Sequence, residues 1–85
     1  PFSKETQFTF ELTKDAKVSI SIYTISGRRV KSIIQHNQKI GFNKISWNGR
    51  DEYGNLLANG VYLYKIKAEI NNQKINHIGR LAIYR

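Results

Sequence analysis

Between Gly41 and Ile66 two runs of alternating apolar residues flank a loop rich in Gly, Asn and Asp. The first run, Asn43-Lys44-Ile45-Ser46-Trp47, ends on the single tryptophan of the sequence. The second leaves Asn59-Gly60 as Val61-Tyr62-Leu63-Tyr64-Lys65-Ile66. Period-two alternation bracketed by turn residues is the mark of half-buried strands. A tryptophan placed where such a run meets its loop closes the core of a small β-sandwich, so this stretch constrains architecture before chemistry.

The rest of the sequence repeats the pattern. Phe8, Phe10 and Leu12 form one apolar parity, with Thr9, Glu11 and Thr13 on the other. After a turn at Lys14-Asp15-Ala16-Lys17, Val18, Ile20 and Ile22 alternate with Ser19, Ser21 and Tyr23. Ser26-Gly27-Arg28 is the next turn. A third strand is expected over Arg29 to Gln35, with Ile33 and Ile34 competing for the inward face, followed by a polar surface loop to Gly41. Asn48 to Gly60 is the longest connection, in which Leu56 and Leu57 form a short strand or tuck beneath the loop. Along Val61 to Ile70, burying Lys65, Lys67 and Glu69 would cost far more than exposing Val61 and Leu63, so the face of Tyr62, Tyr64, Ile66 and Ala68 points inward. Asn71-Asn72-Gln73 turns the chain into a last strand, Lys74 to Arg85. There Ile75 and Ile78, and Ile78 and Leu81, differ in parity, which points to a bulge around His77-Ile78-Gly79.

These features describe an all-β domain, an immunoglobulin-like antiparallel β-sandwich of about seven strands, with a small barrel as the alternative. Asn59-Gly60-Val61-Tyr62 favours the sandwich, because a tyrosine two residues after such a glycine can place its hydroxyl against upstream backbone, as in a tyrosine corner. At 85 residues the chain is expected to be one domain, and a domain of this size buries only about 60% of the surface its unfolded chain exposes. Without cysteine it has no disulfide or thiolate metal site. Five tyrosines, four phenylalanines and the tryptophan supply core volume instead. The sequence starts at Pro1 with no leader and no apolar run of the roughly 20 residues a spanning helix needs. We expect a module of a longer protein, without membrane insertion.

Fourteen Lys and Arg against six Asp and Glu give a net charge of +8. The cations are scattered in sequence, with a local cluster only at Arg28, Arg29 and Lys31, so a solvated basic surface is favoured over a dedicated polyanion site, and no specific nucleic-acid partner is expected. Catalysis has little to work with. His36 and His77 have no glycine-framed serine to partner them, and the carboxylates fall on turns or exposed parities. Asp51, Glu52 and Asn55 share one loop but match no calcium-loop spacing, and Asp51 is expected to bond nearby backbone N–H groups. Trp47, Tyr23 and Tyr53 are the aromatics a sugar platform would use, yet the parity of Trp47 with Ile45 favours a core role. We expect no enzyme, no cofactor and no metal.

Several segments together carry a family resemblance: Pro1-Phe2-Ser3 with Thr6 and Phe8, Val18 to Arg28, Gly41-Phe42-Asn43, Trp47-Asn48-Gly49-Arg50-Asp51, Gly54-Asn55, Gly60-Val61-Tyr62-Leu63-Tyr64 and Gly79 to Arg85. The whole chain resembles the immunoglobulin-like C-terminal domains shared by the flagellar hook-capping protein and by cargo of the type IX secretion system, the C-terminal sorting domains. The resemblance implies a non-catalytic module of a larger secreted protein. Such a domain is recognised in the periplasm by outer-membrane secretion machinery, and the protein then passes to the cell surface or beyond, where a surface sortase cleaves or attaches it. Besides that machinery and sortase, its partners would be the N-terminal domains of its parent. Positions matching the family's signal segments are Gly27 and Arg28, Gly60 and Tyr62, and Arg80, Leu81 and Ile83. Each also has a structural reading: turn geometry for the glycines, core packing for Tyr62, completion of a terminal strand for Leu81 and Ile83. The loop from Trp47 to Gly60 is more like that of the hook-capping relatives, so the second reading is a structural or spacer domain of an extracellular enzyme, adhesin or flagellar cap. The third is a glycan- or polyanion-binding module.

Overall fold

The computed structural model describes residues 4–85, leaving out the side chains of His36 and Asn37. The opening Pro1-Phe2-Ser3 match and the His36 side chain therefore lie outside the described residues. Among those described there are six strands: β1 (Thr6–Leu12), β2 (Ala16–Thr24), β3 (Arg29–Gln38), β4 (Gly41–Trp47), β5 (Gly60–Ile70) and β6 (Gln73–Ile83). A two-stranded sheet, β1-β4, packs on a four-stranded sheet of order β3-β2-β5-β6, and all pairings are antiparallel. About seven strands were expected. The Leu56 segment contributes instead a single bridge between Arg50 and Leu56.

Hydrophobic alternation sets the inward face most plainly in β1 and β2. Val18, Ile20 and Ile22 have no exposed surface, and around them lie Phe8, Leu12, Val30, Ile45, Trp47, Tyr62, Ala68 and Ile83. Phe10, Leu57, Tyr64, Ile66 and Leu81 pack half-buried against this core. The inward tyrosine face of β5 is as the cost of burying charge requires, and no charged or polar residue among those described is buried. Ile20 opposes Ile33 and Ser19 opposes Ile34, so Ile33 turns inward while Ile34 is exposed.

Three local expectations are corrected. The expected loop from Gln35 to Gly41 shrinks, because β3 follows β2 as far as the pair Ala16–Gln38, and ladder hydrogen bonding holds backbone that polar side chains alone would assign to a loop. What remains, Lys39-Ile40, is pinned by Asp15, whose carboxylate accepts the Ile40 N–H at 2.8 Å. Ala16 and Lys17 belong to β2 and not to the preceding turn.

The third correction concerns β6. No bulge interrupts it: its register with β5 runs unbroken from Gly60–Ile83 to Ile70–Gln73. Ile78 simply faces outward and is exposed. Gly79 opposes Tyr64, and a Cβ at Gly79 would overlap the end of the Tyr64 ring. The glycine lets an aromatic ring lie across the backbone, which is the other use of glycine within a strand. That ring is held by Phe8, 5.0 Å away between centroids at 59°, and flanked by His77 at 6.2 Å.

Candidate functional site

The long loop after β4 is organised by one tryptophan and one aspartate. Trp47 is 3% exposed, and its Nε1 donates to the Arg50 carbonyl at 3.0 Å. The indole thus fills the core while its polar edge fixes the start of the loop. Asp51 Oδ1 accepts the N–H groups of Tyr53 and Asn55, both at 2.9 Å, and the Asp51 N–H donates to the Asn55 carbonyl. These are the backbone bonds that a turn aspartate makes. They hold the Asp51 carboxyl below its ordinary range, the Asn55 N–H contributing most, with Tyr53, the Asn55 side chain and the charge of Arg28 adding to it against a desolvation cost. Among the described residues no group of three His, Cys, Asp or Glu lies together.

Glu52 joins this loop to β3. Its N–H donates to the Val30 carbonyl at 3.1 Å, its Oε1 accepts the Ser32 N–H at 2.6 Å, and Lys31 lies 3.9 Å from Oε2. The edge of β3 is thereby covered at this end of the sandwich. Tyr53, at the tip, is 89% exposed, whereas Tyr23 is half-buried on the outer face of β2. With Trp47 in the core, the three aromatics considered as a sugar platform do not share a surface.

At the other end of the loop Asn59-Gly60 launches β5. Tyr62 donates its hydroxyl to the Ala58 carbonyl at 2.7 Å, the tyrosine corner that the sequence implied. Arg85, which sequence reading assigned no role beyond the final strand, secures the same corner. Its N–H donates to Asn59 Oδ1 at 3.0 Å, its carbonyl accepts from Asn59 Nδ2 at 3.2 Å, and its guanidinium donates to the carbonyls of Leu57 and Gly49. Arg85 gives no sequence signal for a clamp, since its partner Asn59 lies 26 residues away.

The seven positions that match signal segments converge here. Thr24, at the end of β2, opposes Tyr62, which opposes Leu81; Gly60 opposes Ile83, and Leu63 opposes Arg80. The turn after Thr24 closes through Gly27 N–H to the Thr24 carbonyl at 2.9 Å and Arg28 N–H to Thr24 Oγ1 at 3.0 Å, with Gly27 at φ +98°. The convergence divides by exposure. Tyr62 and Ile83 are core residues, 8% and 1% exposed, and Leu81 is half-buried. Arg28 and Arg80 present exposed guanidinium groups, and Gly27 and Gly60 present exposed backbone. Arg80 and Leu81 also border an open cleft of about 400 Å³ between β1 and β6, floored by Phe8, Tyr64 and Ile66.

This architecture has known counterparts. FlgD from Pseudomonas aeruginosa superposes with a TM-score of 0.79 at 22% identity over 92% of this chain and 61% of that one. Truncated FlgD from Helicobacter pylori gives 0.72 at 21% identity over the same shares. Dimeric latent PorU from Porphyromonas gingivalis gives 0.76 at 22% identity, over 95% of this chain but 8% of PorU. The chain thus spans less than two thirds of each of these proteins. No curated protein matches the sequence. Residues 2–72, from the first strand through the tyrosine corner to the β5–β6 turn, match the model of the FlgD Ig-like domain, and the chain belongs to that family.

Proposed function

We propose that this domain is the C-terminal sorting module of a larger secreted protein, recognised as a folded unit during export to the cell surface. The observation that carries the reading is the convergence of all seven signal-matching positions on one end of the sandwich, where the terminal strand is clamped to the loop before β5. In this reading Tyr62, Ile83 and the turn glycines shape the end, and Arg28 and Arg80 are the groups that a translocon component touches. Similarity to a small part of PorU supports a module carried by a much longer chain. The domain would transit the periplasm and reach the surface with its parent, and it would need no catalytic group of its own.

The match to the FlgD Ig-like model favours a second reading, in which the same fold is a structural or spacer domain. One experiment separates the two. A reporter fused ahead of this domain is expressed in a bacterium with a type IX system, with the intact domain, without it, and with Arg28→Ala plus Arg80→Ala. Surface export that requires the domain and falls in the double variant, with the variant folded, is the expected result. A fusion retained in the periplasm with the intact domain, or exported equally without it, would leave the spacer reading.

A further inference from the structure

The cations that look scattered in sequence are gathered by strand register. On the outward face of the four-stranded sheet, Lys17 opposes Glu69, which opposes Lys74; Ser19 opposes Lys67, which opposes Asn76; Ser21 opposes Lys65, which opposes Ile78. The next row runs Arg29, Tyr23, Leu63, Arg80. Glu69 is the single carboxylate in these rows. The remaining acidic residues, Glu5, Glu11, Asp15, Asp51 and Glu52, lie before, on or beyond the ends of other strands. Among the described residues the two ion pairs, Lys31 with Glu52 and Lys39 with Asp15, both lie off this face. Lys65 and Lys67 are half-buried, and with one residue between them along β5 their Cα atoms are roughly 7 Å apart. A shallow depression of about 150 Å³ runs between Lys17, Ser19, Ile34, Lys67 and Glu69.

We propose that this outer face of β3-β2-β5-β6 binds an acidic polysaccharide. Its charge is complementary to a linear polyanion, and four strands spaced about 4.8 Å apart give a continuous, twisted surface along which such a polymer can lie. The centre of the face sets Lys65 and Lys67 beside Ser21 and Ser19, with Asn76 next to Lys67 on the edge strand β6, and these groups can bond sugar hydroxyls and the carboxylate or sulfate groups. A single-stranded nucleic acid would call for a series of exposed aromatic platforms, and Tyr23, half-buried, is the one aromatic in these rows. The apolar groups of the face are dispersed: Tyr23 and Leu63 are half-buried between Arg29 and Arg80, Val61 lies at the start of β5, and the exposed Ile34 and Ile78 sit on the two edge strands, so a protein partner finds no single exposed apolar cluster to anchor on. Arg80 borders both this face and the clamped end, but Lys65 and Lys67, on which the inference turns, are not among the signal-matching positions, so the inference does not rest on the sorting role.

The test uses the 85-residue chain with immobilised heparin and polygalacturonate as sulfated and carboxylated probes, titrated across a range of salt. Lys65→Glu plus Lys67→Glu is compared with Lys14→Glu plus Lys44→Glu, which changes net charge identically from exposed positions elsewhere. Lys65→Gln plus Lys67→Gln guards against a folding defect, and circular dichroism checks every variant. The expected result is a loss of about tenfold or more in the two face variants, a much smaller loss in the control, and a shallower salt dependence when the face lysines are gone. Equal losses in face and control variants would overturn the proposal, leaving net charge as the cause. Tighter binding of oligo(dT) or of polyglutamate than of either polysaccharide would also overturn it, assigning the face to nucleic acid or to an acidic protein.

Discussion

The Tyr62 hydroxyl and the Ala58 carbonyl, 2.7 Å apart, tie the start of β5 to the loop that precedes it. The ring lies in the core beneath that bond, so one side chain fastens both packing and loop geometry. Tyr62→Phe keeps the ring and leaves the Ala58 carbonyl without its partner. We expect a loss of about 0.5–1.5 kcal/mol in urea unfolding, with an unchanged slope. A destabilisation near zero would show that water replaces the hydroxyl at no cost.

Trp47 acts through volume more than through its hydrogen bond. Trp47→Ala is expected to cost about 3–5 kcal/mol, a large part of the stability of a domain this small. Trp47→Phe, which loses the bond to Arg50 but keeps much of the packing, should cost distinctly less. Thermal melts of the two variants give the order, and equal losses would mean that the Nε1 contact to the loop dominates.

Gly79 has no room for a side chain under Tyr64. The ring is wedged between Phe8 and His77 and cannot swing aside without losing contact. Gly79→Ala should therefore destabilise by about 1–3 kcal/mol, despite the better strand propensity of alanine. The same change in the background Tyr64→Ala should be nearly neutral, and a double-mutant cycle measures the difference.

The β5–β6 hairpin turns on Asn71 and Asn72, at φ +46° and +67°. Two consecutive left-handed residues form the turn whose twist matches the strands it joins, and asparagine tolerates that conformation. Asn72→Ala should cost about 1 kcal/mol, whereas Asn72→Gly should not destabilise. Denaturant midpoints of the pair decide it.

The Asp51 carboxyl is held below its ordinary range, so its stabilising contribution is complete above the unfolded-state value and disappears as pH falls through the folded one. Acidification below about pH 4 should lower the melting temperature, and Asp51→Asn should flatten that dependence while lowering stability at neutral pH. An unchanged acid limb in the variant would mean that another carboxylate controls it.

Alternation of Val18, Ile20 and Ile22, the inward tyrosines of β5, the tryptophan junction and the tyrosine corner could be read directly from sequence. Each is a local pattern, in which side-chain parity or a turn residue two positions away specifies the geometry. Pairing decided the rest. Whether Gly79 marks a bulge or a seat for a ring depends on which residue faces it, and polar residues such as Gln35 and Gln38 join a strand when a neighbour supplies the ladder. The Arg85 clamp joins groups far apart in the chain. The basic face arises the same way: core-forming residues fix each strand's inward parity, so lysines of opposite parity in β2, β5 and β6 must face outward. Strand order and register then set them side by side. Sequence determined which residues leave the core, and only the tertiary structure determined that they meet.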